Sequence, residues 1–116
     1  MKEGDVVLTP FEQADGKTKN RPASVLRVMR PFGDLLICGV SRQLRHRVPD
    51  FDEIIAPTDP DFAASGLTDT SLIRLGFLAL LPAAELLGDI GSISPERHRR
   101  LLRRLADYLA EPARKR

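Results

Sequence analysis

Three short segments with strand character lie at the start of the chain, and they limit the possible folds more than any other feature of the sequence. The first is Gly4–Phe11, in which Pro10 ends the strand or confines it to a sheet edge. The second is Pro22–Val28, and the third is the continuous apolar run Leu35–Val40, which is typical of a strand buried on both faces. A tight turn at Pro31–Asp34 joins the last two. Consecutive strands with such short connections predict an antiparallel meander that begins a small barrel.

The middle of the chain continues this pattern less clearly. We expect a polar loop at Glu12–Asn20 between the first two strands, and an acidic loop at Thr58–Thr70. The remaining strand candidates are Asp52–Ala56, Ser71–Leu75 and Leu78–Leu81, the last being either a sixth strand or the approach to a short helix at Pro82–Leu87. The prediction is one mainly β domain over residues 1–116.

The clearest element closes the chain. Ser94 is a good N-cap, and Pro95 and Glu96 suit a first helical turn, so we expect a helix that ends before Pro112. Its leucines fall on one face with His98 among them, which indicates a core or interface histidine. The opposite face carries five arginines, which are expected to be solvated: Arg97, Arg99, Arg100, Arg103 and Arg104. A basic tail follows at about 112–116.

Composition excludes several classes of protein. The chain has 116 residues and one cysteine, Cys38, so an intrachain disulfide and a zinc cluster are impossible, and that cysteine is expected to be an inert core residue. No apolar stretch is long enough to span a membrane, and Met1–Val7 does not resemble a signal peptide, so a cytoplasmic protein is expected. No phosphate-binding glycine loop is present, and no cofactor or metal is expected. The acids Asp50, Asp52 and Glu53 fit a solvated strand edge better than a cation site.

Charge is unevenly distributed along the chain. Residues 50–70 contain six acidic side chains and no basic one, whereas residues 95–116 contain eight basic and three acidic ones. The formal net charge of +2 therefore conceals basic regions that suit a polyanion. Dispersed solvated charge explains the same distribution equally well.

Two polar clusters lie at the ends of neighbouring predicted strands. One contains Lys17, Lys19, Asn20 and Arg21, and the other contains Ser41, Arg42, Gln43 and His46. Because the second and third strands should pair antiparallel, the start of one lies beside the end of the other, and Arg21 and Ser41 become neighbours. A guanidinium beside a hydroxyl suits a phosphate group, and it equally suits a surface salt-bridge cluster.

Several of these segments resemble one known family. Gly4–Val7, a polar loop and then Asn20–Leu26 look like the opening of the PemK/MazF-type toxins, which read Gly-Asp-(Ile/Val)-Val, a loop and Arg-Pro-Ala-Leu-Val-Leu. Val40–Gln43 resembles the end of their third strand, and Ser71–Leu75 resembles a later strand that usually begins Ser-Val-Val. The closing amphipathic helix also corresponds, so the similarity extends over nearly the whole chain.

The resemblance implies a small SH3-like barrel of antiparallel strands with a C-terminal helix, normally a homodimer. It implies a metal-independent endoribonuclease that cleaves single-stranded RNA, often at preferred short sequences, and an acidic antitoxin that blocks the RNA groove. The family's catalytic arginine falls on Arg21 and its catalytic threonine on Ser41, while the loop that gates RNA binding falls on Glu12–Asn20. RNA contacts are then expected from the other members of the two polar clusters: Lys17, Lys19, Asn20, Arg42, Gln43 and His46.

Some requirements of such an enzyme have few candidates here. His46 is the side chain best suited to act as general base. Unpaired bases need stacking surfaces, for which Phe11, Phe32 and Phe51 are the candidates. Serine replaces the family's threonine at position 41, and the acidic segment 47–70 matches nothing in the family pattern. Two alternatives therefore stay open: a non-catalytic barrel that binds nucleic acid or protein through its basic rim, and a structural dimer whose basic helix docks an acidic partner.

Overall fold

The computed structural model describes residues 1–12 and 14–113, without the side chains of Phe11 and Glu12. Its strands are β1 (Asp5–Glu12), β2 (Thr18–Val28), β3 (Leu35–Ser41), β4 (Glu53–Ile55), β5 (Ser71–Leu81) and β6 (Gly88–Ser92). Its helices are α1 (Phe62–Ser65) and α2 (Pro95–Ala110), with single turns of 3₁₀ helix at Leu44–His46 and Ala83–Glu85. No helix in the described ranges is long and apolar enough to cross a membrane.

The six strands form one antiparallel sheet in the order β4-β5-β3-β2-β1-β6. Pairing shifts register at three places, between Val6 and Val7, between Val25 and Arg27, and between Cys38 and Gly39. Such bulges add twist and bend a sheet locally. The sheet accordingly curls into a half-barrel, and the predicted mainly β barrel with a C-terminal helix is confirmed.

The curled sheet buries apolar side chains on both faces. Helix α2 covers one face, where Leu101 and Leu105 pack with a cluster from the strands that includes Leu26 and Ile73. Side chains on the other face form a second, smaller cluster: Val7, Ala23, Val25, Leu35, Ile37 and Leu86. Cys38 lies in the first cluster, so the predicted core position is confirmed, and burial raises the pKa of its thiol to about 12.

The polar loop predicted at Glu12–Asn20 is wrong at both ends. Glu12 pairs with Thr18, and Lys19 and Asn20 pair with the two residues before Glu12, so both ends of the predicted loop belong to strands. The polar residues of this hairpin gain ladder hydrogen bonds from their neighbouring strand, which overrides their low intrinsic preference for strands. Lys19 and Asn20 consequently have positions fixed by the sheet.

Two other strand predictions are corrected. Ser71–Leu75 and Leu78–Leu81 are one strand, β5, because the sheet accommodates the residues between them as a bulge opposite β3. The predicted helix at Pro82–Leu87 is a single 3₁₀ turn, and the chain then returns as β6, which the sequence analysis missed. Gly88–Ser92 contains one large apolar residue, so it lacks the alternation that marks a strand, and its pairing with β1 defines it instead.

Helix α2 begins as predicted, since the Ser94 side chain accepts a hydrogen bond from the Arg97 amide and Pro95 occupies the first turn. The expectation of a solvated arginine face is wrong for Arg97, whose side chain is 7% exposed. Its guanidinium bonds Asp61 at 2.9 Å and Glu53 at 2.8 Å. Glu53 also bonds Arg100.

The acidic segment therefore has a structural role. Arg104 and Asp59 extend the same network of ion pairs. The carboxylate of Asp52 accepts the backbone N–H groups of Leu75 and Val48, which anchors β4 beside β5. Of the acids predicted at a solvated edge, Asp52 and Glu53 are buried, whereas Asp50 is exposed as predicted. Glu53, Asp59 and Asp61 pair with Arg97 of the helix. Of the predicted basic tail, Arg114–Arg116 lie outside the described residues.

Candidate nucleic-acid interface

The pairing of β2 with β3 brings the two polar clusters together. Ala23 pairs with Gly39, and continuing this antiparallel register by two residues sets Arg21 beside Ser41. Both residues line each of two adjoining clefts at this end of the sheet. Arg21 and Ser41 are thus neighbours, as expected, and they form the wall that the two clefts share.

The Ser41 hydroxyl is held in place by the backbone that follows it. Its Oγ accepts the Gln43 N–H at 3.0 Å, and the Gln43 side-chain carbonyl accepts a 2.6 Å hydrogen bond from Arg45. A hydroxyl oxygen that accepts a backbone N–H keeps its own hydrogen for donation. The Ser41 hydroxyl can therefore donate to an acceptor in the cleft from a fixed position.

The larger cleft has a volume of about 440 Å³ and combines an apolar floor with a polar rim. Ala23, Ile37, Ala79 and Leu81 form the floor, over the smaller of the two core clusters. The rim carries six side chains that can form hydrogen bonds: Thr9, Arg21, Ser41, Gln43, His46 and Arg74. Among the described residues that line this cleft none is acidic. Such a site suits an anion that carries flat apolar groups.

The smaller cleft has a volume of about 260 Å³ and is more polar. Lys19, Asn20 and Arg42 line it together with Arg21 and Ser41. Arg42 forms a salt bridge of 3.2 Å with Asp69, in which both side chains are more than half exposed. An exposed pair of this kind contributes about 0–1 kcal/mol, so an incoming anion can replace Asp69 at little cost.

Comparison with known proteins identifies the family of the chain. Residues 2–109 match the PemK-like, MazF-like toxin of type II toxin–antitoxin systems. The chain belongs to this family. No curated protein sequence matches the chain significantly.

Solved structures of toxins share the fold of this PemK/MazF-like chain. The Mycobacterium tuberculosis toxin MazF-mt6 superposes with a TM-score of 0.64 at 15% identity, over 90% of this chain and 95% of the toxin. An endoribonuclease in complex with its cognate antitoxin, from a mycobacterial species, superposes with a TM-score of 0.68 at 18% identity, over 98% and 99% of the two chains. At these identities the likeness establishes the fold.

The structure of the PemK/MazF-like chain distributes the residues predicted to bind RNA over both clefts. Gln43 and His46 line the larger cleft, while Lys19, Asn20 and Arg42 line the smaller one. Lys17 lines neither and lies in the exposed β1–β2 turn, where its backbone N–H bonds the Asp15 carboxylate at 2.9 Å. In the described residues no group of three or more His, Cys, Asp or Glu side chains is placed to hold a metal ion.

The aromatic residues are arranged differently from the prediction. Phe51 packs against the core and Tyr108, with ring centroids 5.1 Å apart, and Phe32 is 89% exposed in the β2–β3 turn. The side chain of Phe11 lies outside the described part. Among the described side chains, Phe77 is the aromatic one that lines the larger cleft, accompanied by Arg74. Sequence reasoning missed both because Arg74 interrupts an apolar run and Phe77 follows the glycine at which the strand was wrongly divided.

Proposed function

We propose that this PemK/MazF-like chain is an endoribonuclease that cleaves single-stranded RNA at preferred sequences without a metal ion. The observation that supports the proposal most strongly is that Arg21 and Ser41 share the wall between two clefts with basic rims. Membership of the toxin family agrees with it. A scissile phosphate on that wall would leave one cleft for each neighbouring nucleotide.

RNA carries its own nucleophile, which is why such a reaction can proceed without a metal. The 2′-hydroxyl attacks the adjacent phosphorus, a P–O2′ bond forms and the P–O5′ bond breaks, which leaves a 2′,3′-cyclic phosphate and a 5′-hydroxyl. The 2′-hydroxyl loses a proton and the departing 5′-oxygen gains one. The protein has to stabilise the negative phosphorane and assist these two transfers.

Each step has a candidate side chain at the wall. The Arg21 guanidinium presents paired N–H donors to the nonbridging oxygens, where negative charge accumulates. Ser41 donates its hydroxyl hydrogen to the same phosphoryl group or orients the 2′-hydroxyl. His46, on the rim of the larger cleft, is the proposed proton acceptor, because histidine is the side chain that most often serves in general acid–base catalysis.

The other polar residues of the clefts bind the strand on either side of the cut. Lys19 and Arg42 bind backbone phosphates, and Asn20 and Gln43 donate to phosphate or base oxygens. Lys17, in the exposed turn, contacts the strand farther from the reacting phosphate. Affinity supplied by these cations falls as salt concentration rises.

An acidic antitoxin is the proposed protein partner. A chain that places carboxylates along the basic rim and apolar side chains on the floor of the larger cleft would exclude RNA from it. The mycobacterial relative in its complex with a cognate antitoxin is a precedent for such a partner.

We also propose a homodimer, formed through apolar side chains other than the buried leucines of α2. Leu101 and Leu105 are buried within the chain, so the leucine face of α2 around them is not accessible to a second copy. Exposed apolar side chains lie elsewhere, at Leu80 of β5 and at Tyr108 and Leu109 of α2, each more than half exposed. Sedimentation equilibrium at micromolar concentration tests the proposal, and a monomer there would overturn it.

The test of the nuclease uses a long single-stranded RNA incubated with the protein in EDTA. We expect discrete cuts, slowed about 100-fold or more by Arg21→Ala because a charge-stabilising donor is lost. Ser41→Ala should also slow them. Arg30→Ala, in the turn at the other end of β2, is the matched control and should cut like the parent.

One result would overturn the catalytic assignment, and another would overturn the nuclease itself. Cleavage by Arg21→Ala at the parent rate would show that the catalytic assignment is wrong. Absence of cleavage with salt-sensitive RNA binding retained would establish the alternative, a binding module on the same barrel.

A further inference from the structure

Phe77 projects from an irregularity in the sheet. Along β3 and β5 the pairing passes directly from Gly39 with Arg74 to Cys38 with Leu78, so three residues of β5 have no counterpart in β3. A bulge of this kind redirects the side chains that it contains. Here it brings Phe77 to the larger cleft, which Arg21 and Ser41 also line.

Gly39 provides the space for the Phe77 ring. A Cβ atom at position 39 would lie 3.3 Å from two ring carbons of Phe77, which is tighter than ordinary packing allows. The ring therefore packs against the β3 backbone at Gly39, two residues before Ser41. It nevertheless remains 43% exposed.

Arg74 adds a positive charge to this surface. Its guanidinium carbon lies over the Phe77 ring, 5.7 Å from the centroid, within the range of a cation–π interaction. The guanidinium also lines the larger cleft. An aromatic face and a planar cation thus stand together a short distance from the wall that carries Arg21.

We propose that Phe77 and Arg74 form a subsite for one unpaired nucleobase next to the scissile phosphate. The subsite rests on the proposed ribonuclease, and it names the part of the enzyme that selects and positions the strand. The base packs against the exposed part of the Phe77 ring, and the Arg74 guanidinium donates to acceptors on the edge of the base.

The surroundings favour a base over an apolar protein side chain. The rim of the cleft is basic, and the described residues that line it include no carboxylate that would repel a phosphate. A nucleobase between two phosphates matches an apolar floor with a cationic rim. An aliphatic side chain would fill the floor but could not accept hydrogen bonds from the polar side chains of the rim.

The experiment measures stacking directly, on RNA that cannot be cut. Short oligonucleotides of 2′-O-methyl nucleotides, each with one 2-aminopurine at a different position, are titrated with the protein. Stacking quenches 2-aminopurine fluorescence, so we expect strong quenching for one position. Phe77→Leu keeps the apolar packing on Gly39 and removes the π face, so it should lose that quenching and weaken binding about 5- to 150-fold.

Two variants control the comparison. Phe77→Tyr keeps the ring and should retain the affinity and the quenching of the parent. Phe32→Ala removes an aromatic residue that is more exposed and lies outside both clefts, and it should bind like the parent. Unchanged affinity and quenching in Phe77→Leu would overturn the subsite, and so would equal losses in Phe77→Leu and Phe32→Ala, or no binding by the parent protein.

Failure of the subsite can be told apart from failure of the nuclease. If the parent cuts RNA and Phe77→Leu still quenches the probe normally, the enzyme stands and the subsite is wrong. If the parent cuts nothing but quenches the probe through Phe77, the subsite stands as part of a binding module. If the parent quenches the probe and Phe77→Leu does not, and if the parent cleaves RNA and Arg21→Ala does not, both the subsite and the nuclease are supported.

Discussion

Replacing Arg97 by methionine should destabilise the protein far more than any substitution on the solvent face of α2. The guanidinium donates to Asp61 at 2.9 and 3.3 Å, to Glu53 at 2.8 Å and to the carbonyl of Ile54 at 3.2 Å. The side chains of Glu53 and Asp61 are each 8% exposed. Methionine fills much of the same space but leaves the two carboxylates without their central cation.

The size of the effect follows from that burial. Removing one partner of a buried ion pair costs about 3–5 kcal/mol, because the remaining charge has lost both water and its partner. Arg100 and Arg104 still contact Glu53, so a loss of stability in the lower half of this range is expected. Most of that loss comes from Asp61, which is left buried without a cation. With a urea m value of about 1.5 kcal/mol/M, a loss of about 3 kcal/mol lowers the unfolding midpoint by about 2 M.

Urea unfolding followed by circular dichroism measures this shift. Arg103→Met, on the exposed face of the same helix, is the control and should change the stability by less than about 0.5 kcal/mol. Adding Asp61→Asn to Arg97→Met should recover part of the loss, since the double variant no longer buries an unpaired charge. Equal midpoints for the Arg97→Met and Arg103→Met variants would refute the role assigned to the acidic segment.

Three further results are expected. Burial lowers the pKa of His98 below its ordinary 6.5, so the unfolded chain binds the proton at a higher pH than the folded chain does. The urea midpoint should therefore fall as the pH drops below 6.5, and it should fall less steeply in His98→Gln. A Cβ at Gly91 would overlap the Ala64 carbonyl, so Gly91→Ala should cost about 1–3 kcal/mol in urea unfolding, whereas Gly76→Ala, with only an ordinary contact to Phe51, should cost less. Cys38 should react with a thiol reagent only after denaturation, and rapid labelling in native buffer would contradict its burial.

Local sequence signals predicted the elements whose stability is largely local or strongly patterned. The apolar run Leu35–Val40 and the Ser94 cap of α2 are both where the sequence placed them. Features defined by pairing with distant residues were missed. Strand β6 is defined by its hydrogen-bonded pairing with β1. Strand β5 is continuous because a bulge accommodates the residues in its middle that have no partner in β3.

The candidate site was predictable to the same extent. Antiparallel pairing of two recognisable strands sufficed to bring Arg21 beside Ser41. Phe77 could not be found that way, because its place in the cleft depends on a bulge and on the missing side chain of Gly39. The arginine face of α2 was misread because a helical pattern shows which residues share a face, not which distant segment covers that face.

The central claim is that the 2′-hydroxyl of RNA is the nucleophile at the Arg21–Ser41 wall, and one chimeric substrate tests it. A single 2′-deoxynucleotide replaces the ribonucleotide on the 5′ side of a mapped cut, and the protein acts on this RNA in EDTA. We predict that this cut disappears while cuts elsewhere in the same RNA remain and end in a 2′,3′-cyclic phosphate. Cleavage at the deoxynucleotide at the original rate would contradict the account, since another nucleophile would then be attacking the phosphorus.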